Sequence, residues 1–152
     1  MKPRLNPHHA APDAIGAMSA LEAYVRDCGL EHSLIELVKL RASQINGCAY
    51  CLHMHSNDAR RTGETEDRMQ LLPAWRESPL YTERERAALA WTEALTLISE
   101  THAPDADYDA ARDAFSEAEL VKLSLLICTI NAWNRLAIGF RQIHPTEKAR
   151  AA

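Results

Sequence analysis

The twenty residues ELVKLRASQINGCAYCLHMH, Glu36 to His55, decide how the chain is read. Ile35, Leu37, Val38, Leu40 and Ile45 follow helical spacing until Asn46-Gly47 breaks the run, glycine being the residue that enters left-handed backbone at little cost. Just upstream, Ser33-Leu34-Ile35-Glu36 has the form of a capping box, which would open this helix. A second helix is expected from near Cys48 to Arg61 or Thr62, with Gly63 as its C-terminal cap. The stretch therefore predicts two helices joined by a tight turn, with Cys48-Ala49-Tyr50-Cys51 in the first turn of the second.

On that helix, at about 100° per residue, Cys51 lies about 60° and His55 about 20° from Cys48, so the three share one face. Cysteines three apart on a helix have Cα atoms about 5 Å apart, within reach of a disulfide, so the pair can act as a dithiol switch. A helix N-terminus favours thiolate through its free N–H groups and positive dipole end, and His55, one turn below Cys51, can accept or relay that thiol's proton. Two other uses of these residues are open. Both cysteines could be small buried hydrophobes with His55 at the surface. A zinc site could draw on Cys48, Cys51, His55 and either His53 or Glu36, but a single CxxC lacks the second ligand pair of a structural zinc centre. Glu36 itself has two readings, as a catalytic acid–base group or as the last residue of the capping box.

Working outward, Ile15, Met18, Leu21 and Val25 give a helix from Asp13 to Cys28, stopped by Gly29. A short helix is expected around Thr65 to Leu72, ending at Pro73. Thr82-Glu83-Arg84-Glu85 is a capping box for a helix reaching Ile98, and Asp105 to Ala114 reads as a shorter one. Ser116-Glu117-Ala118-Glu119 opens the last and longest, whose apolar residues from Leu120 to Phe140 leave a narrow polar strip, as in a central core helix. Cys28 and Cys128 fall on apolar helix faces, where buried inert thiols are expected. No strand-like alternation survives, so the fold class is all-α, a bundle of six or seven helices over residues 13–145. Residues 1–12, with Pro3, Pro7 and Pro12, read as a flexible N-terminal arm and 146–152 as a C-terminal tail.

Composition bounds the function. The chain has 152 residues, 47% of them hydrophobic and 25% charged, enough for one buried core without staples. Its formal charge of −4 and lack of a Lys/Arg block argue against nucleic acid as a partner. The N-terminal MKPRLNPHHAAPDA has Pro and His where an export signal needs an apolar run. The most apolar stretch, Leu120 to Ile130, contains Lys122 and is soon followed by Asn131, Asn134 and Arg135, well short of the ~20 apolar residues of a membrane span. A cytoplasmic protein with no membrane partner is expected, and its four cysteines are then thiols unless redox-active or metal-bound.

The segment from Glu36 to His55 resembles the core motif of AhpD-like alkylhydroperoxidases of the carboxymuconolactone decarboxylase family, and the similarity extends to about Gly63. Leu80 to Arg86 and Asn131 to Leu136 also resemble its single-domain members. The resemblance implies an all-helical fold, a peroxidatic CxxC and a proton relay from a glutamate through a histidine to the second cysteine, positions matched here by Glu36, His55 and Cys51. Tyr50 stands where well-studied members have a histidine between the cysteines.

The resulting expectation is a thiol-dependent peroxidase without organic or metal cofactor, its partners a peroxide and a thiol or dithiol electron donor, a protein donor included. The helix-end argument favours Cys48 as nucleophile, whereas the place of His55 below Cys51 and the family pattern favour Cys51, with Cys48 resolving. The alternatives are a redox-sensing or interaction protein of the same fold and a decarboxylase-like lyase. The helices carry more apolar surface than one small bundle readily hides, and the resemblance implies a homo-oligomer, a trimer or hexamer. Light scattering at micromolar concentration should give a mass well above the 17.0 kDa of one chain. A single-chain mass would contradict this expectation.

Overall fold

Residues 2–145 are described in a computed structural model of the chain. Among them run α1 (Pro7–Ala10), α2 (Pro12–Arg26), α3 (His32–Asn46), α4 (Ala49–Arg61) and α5 (Glu66–Leu71), the last followed by a 3₁₀ turn at Leu72–Ala74. Then come α6 (Glu83–Thr96), α7 (Ile98–Thr101), α8 (Asp105–Ala114) and α9 (Glu117–Gly139). The fold is all-α, with no strand among the described residues. Nine helices lie among the described residues where six or seven are expected, because two single turns add to the count. One is α1, capped by the Asn6 side chain accepting from the His8 N–H, within the segment read as an arm; Arg4 there donates its backbone N–H to Phe140 at 2.9 Å. The other is α7, split from α6 where Leu97 leaves helical backbone. The expected tail, 146–152, lies outside the described residues.

Helix ends follow local chemistry. Both downstream capping boxes form, Thr82 with Glu85 and Ser116 with Glu119. The box expected at Ser33 does not: α3 starts two residues earlier, with Glu31 in extended backbone as its N-cap, no side-chain cap bond, and the Glu31 carbonyl accepting from Ile35. Ser33 is thus already inside the helix, and the Glu31 carboxylate is engaged by Arg84 at 2.9 Å. Glu36 is released from capping. At the far end of α3, Gly47 takes left-handed backbone (φ 68°), a conformation that costs other residues about 1–2 kcal/mol.

α3 packs against α4, α6 and α9, so it is the shared wall of the bundle. On the α6–α9 side, Ile35, Val38, Ala88, Leu123, Leu126 and Ile127 are buried together; on the other, Leu37, Leu40, Leu72 and Leu89 pack with Trp75 and Tyr81. Each such side chain contributes roughly 1.5–3 kcal/mol by leaving water. Cys28 is buried as expected, but Cys128 is exposed. It sits one heptad from Val121, which is 69% exposed, on the outward side of α9; a helix apolar on all sides does not announce which face turns out. No described helix is long and apolar enough to cross a membrane.

Glu119 ties α9 to the rest: it accepts from the Ser116 backbone N–H at 2.9 Å and hydroxyl at 2.8 Å, and from Arg84 at 2.6 Å. These bonds, the Ser116 N–H first, hold its carboxyl at about 2 rather than the usual 4.5. A depressed folded pKa gives stability that is present above the unfolded value and lost as pH falls from about 4.5 toward 2. Glu119→Gln should therefore lower the melting temperature by about 2–4 °C near pH 7, the effect of losing about 1 kcal/mol of capping, and the gap should close near pH 2. Thermal melts at both pH values check this; a gap that persists in acid would contradict it.

Candidate functional site

Cys48, in extended backbone after Gly47, is the N-cap of α4, and its sulfur accepts the Cys51 N–H at 3.3 Å. Helical geometry then brings Cys51 back over it, with Cα atoms 5.4 Å apart and the two sulfurs joined as a disulfide. Both residues are buried, packed with Tyr50 against Ala137 of α9. The dipole and N–H assistance of the helix end thus falls on Cys48.

His55, one turn below Cys51, is also buried. Its Nδ1 lies 2.9 Å from Glu36 Oε2, a bond across the α3–α4 pair that fixes the imidazole's orientation. Glu36 makes no capping bond among the described residues. Its other oxygen lies 3.9 Å from Nζ of Lys39, and that ammonium, whose side chain is 3% exposed, donates to Glu22 of α2 at 2.6 Å. Asp58, one turn beyond His55, completes the group and pairs with Arg61 at 3.0 Å. A row of alternating charge therefore runs from half-buried Glu22 through Lys39 to Glu36, the carboxylate that holds His55.

Ligand atoms of Glu36, His55 and Asp58 all lie within 4.8 Å of one another, the donor set a divalent cation could use. The set differs from a zinc set built on Cys48 and Cys51, whose sulfurs are bonded to each other, and the Lys39 ammonium beside Glu36 would oppose a cation. His53 stands apart, its ring stacked on His144 at 4.8 Å.

Cys51, His55, Glu36, Lys39 and Asp58 line one open cavity of about 580 Å³, walled on its apolar side by Met54, Trp133 and Ala137. It is the kind of space that admits an organic molecule to a buried sulfur. Sequence reasoning brought Cys48, Cys51, His55 and Glu36 together and missed Lys39, Glu22 and Asp58. Asp58 was findable, three residues after His55 on the same helix, but the Lys39–Glu22 pair joins two helices and leaves no periodic signal.

The Asn46 side chain donates to Asn131 and Asn134 of α9, both at 2.9 Å, and Asn134 donates to Ser43 at 3.1 Å. Asn131 in turn donates to Thr96 of α6 at 3.0 Å. This network clamps the end of α3, and hence the turn that presents Cys48, against two other helices.

Comparison with known proteins agrees with this architecture. The sequence pattern of the Carboxymuconolactone decarboxylase family (CMD) matches residues 11–94. The uncharacterised protein YdfG of Bacillus subtilis strain 168 is 41% identical over 139 residues, covering 91% of this chain and 95% of that one. ATU0492 of Agrobacterium tumefaciens, a protein of unknown function proposed to be the antioxidant defence protein AhpD, superposes with TM-score 0.94 at 51% identity, over 96% of this chain and 100% of that chain. The debrominase Bmp8, solved with 2,3,4-tribromopyrrole, shares the fold at TM-score 0.79 and 22% identity, over 94% and 76%. A family pattern spanning more than half the chain, a full-length relative and an AhpD-like fold lead to one conclusion: the chain belongs to the carboxymuconolactone decarboxylase family.

Proposed function

We propose that the protein is a thiol-dependent peroxidase that reduces peroxides through a Cys48/Cys51 dithiol–disulfide cycle. The observation that carries this reading is the Glu36–His55 hydrogen bond, 2.9 Å long, in the cavity that also reaches Cys51. In the reduced protein, His55 takes the Cys51 thiol proton, with Glu36 stabilising the imidazolium that results. The thiolate attacks one peroxide oxygen, the O–O bond breaks, and the other oxygen leaves as an alcohol or water carrying the relay's proton. Cys51 is then a sulfenic acid. Cys48, held 5.4 Å away between Cα atoms, attacks its sulfur, water leaves, and the disulfide forms. Two electrons and two protons from a thiol or dithiol donor restore the dithiol.

Cys51 is the nucleophile in this reading because it, and not Cys48, borders the cavity that holds His55 and Glu36. The Cys51 N–H on the Cys48 sulfur serves the resolving step, favouring the Cys48 thiolate that must attack. The reading includes a cytoplasmic homo-oligomer, as the family resemblance implies.

Peroxide consumption with a dithiol donor tests the cycle. Glu36→Gln and His55→Ala should each slow it roughly 10²–10⁴-fold near neutral pH, with partial recovery at alkaline pH, while the melts show folded protein. The double variant should be no slower than the worse single one, because the two act as one unit. Multiplicative losses, or turnover surviving Cys51→Ser, would overturn the reading.

A further inference from the structure

The disulfide is reached from two sides. The larger cavity touches Cys51 and not Cys48; a second, of about 350 Å³, touches Cys48 and not Cys51. Tyr50, Ala137 and Gln142 border both and form the partition between them. The two spaces differ in charge. On the Cys51 side the carboxylates Glu22, Glu36 and Asp58 are matched by Arg26, Lys39 and Arg61, whereas the Cys48 side has no carboxylate among its lining residues and two arginines, Arg4 and Arg141. Neither arginine makes an ion pair with a carboxylate among the described residues; Arg4 bonds only carbonyl oxygen there, Nη1 to Gly139 at 3.0 Å. Arg141 is held at φ 55°, a conformation uncommon for a residue with a Cβ. The N-terminus of the 13-residue α4 also faces this side, through Gly47, Cys48 and Ala49.

Resting on the peroxidase reading, we infer that the Cys48-side cavity is the docking site of the reductant, and that the reductant is a small thiol bearing carboxylates. Arg4 and Arg141 bind its carboxylates and draw its thiolate toward the Cys48 sulfur. The thiolate attacks Cys48 Sγ and forms a mixed disulfide with it, while the Cys48–Cys51 bond breaks and its electron pair leaves on Cys51. His55 supplies the proton that Cys51 takes up. A second reductant thiolate attacks the reductant sulfur of the mixed disulfide, frees Cys48 as thiolate, which is then protonated, and leaves as the oxidised reductant disulfide. One protein disulfide is reduced as two thiols are oxidised to one disulfide. Peroxide and reductant thus use separate entrances, one to each sulfur.

The test is reduction of the diamide-oxidised protein, without peroxide, by mercaptosuccinate, 2-mercaptoethanol and cysteamine, read as free thiols by alkylation and mass measurement. Absence of peroxidase activity leaves this measurement intact, so the two readings fail separately. Taking 2-mercaptoethanol as reference removes effects common to all thiols. In Arg4→Glu/Arg141→Glu the relative rate with mercaptosuccinate should fall about tenfold or more and that with cysteamine should rise, whereas Arg141→Lys should keep the wild-type order. If the reversed variant fails to fold, the wild type alone still decides: raising salt from about 20 mM to about 0.5 M should erase its preference for mercaptosuccinate. Relative rates indifferent to both charge reversal and salt would overturn the proposal. So would acid-quenched mixed disulfide found on Cys51 instead of Cys48.

Discussion

The turn between α3 and α4 is the constraint on which the site depends. Gly47 supplies left-handed backbone (φ 68°), and Asn46 beside it spends both amide hydrogens on α9. Asn134 is fully buried and Asn131 nearly so, and no buried side-chain polar atom among the described residues lacks a partner. Removing one member of such a network leaves another unsatisfied, a cost of about 1–3 kcal/mol, so the turn has one favoured geometry. That geometry sets α4 against α3 with Glu36 within reach of His55. Without it the CxxC would still be a pair of neighbouring thiols, but no carboxylate would orient the histidine beneath it.

From this constraint follows a division of labour between two chemically identical groups. The Cys48 sulfur accepts the helix-end N–H while Cys51 borders the cavity that holds His55, so in the proposed cycle each sulfur would have its own source of thiolate stabilisation. The Lys39 ammonium lies between the Glu22 and Glu36 carboxylates, although it is almost wholly out of water. A buried ammonium without such partners would be costly. Lys39, Glu36 and Glu22 thus form an alternating row of charge that ends beside His55.

What was legible in the sequence was whatever one helix encodes alone. The Cys48, Cys51, His55 register follows from 3.6 residues per turn, Gly47 from its place after Asn46, and the boxes at Thr82 and Ser116 from residues three apart. Ser33 had the same letters and a different outcome, because α3 begins two residues sooner and the Glu31 carboxylate is taken by Arg84. The capping-box pattern records local compatibility, not the competing partner on another helix. Lys39–Glu22, Asn46–Asn131 and the outward turn of Cys128 share that property: each is decided by which helix packs alongside.

In the proposed cycle the Cys51 sulfur, served by the Glu36–His55 pair, attacks peroxide. Trapping the sulfenic acid tests it most directly. In Cys48→Ser, which cannot resolve the intermediate, one equivalent of peroxide in the presence of dimedone should place the adduct on Cys51, and adding His55→Ala should slow its formation near neutral pH. A Cys51→Ser protein that instead gathers the adduct on Cys48 as fast, with Cys51 of the Cys48→Ser protein unmodified, would contradict the account.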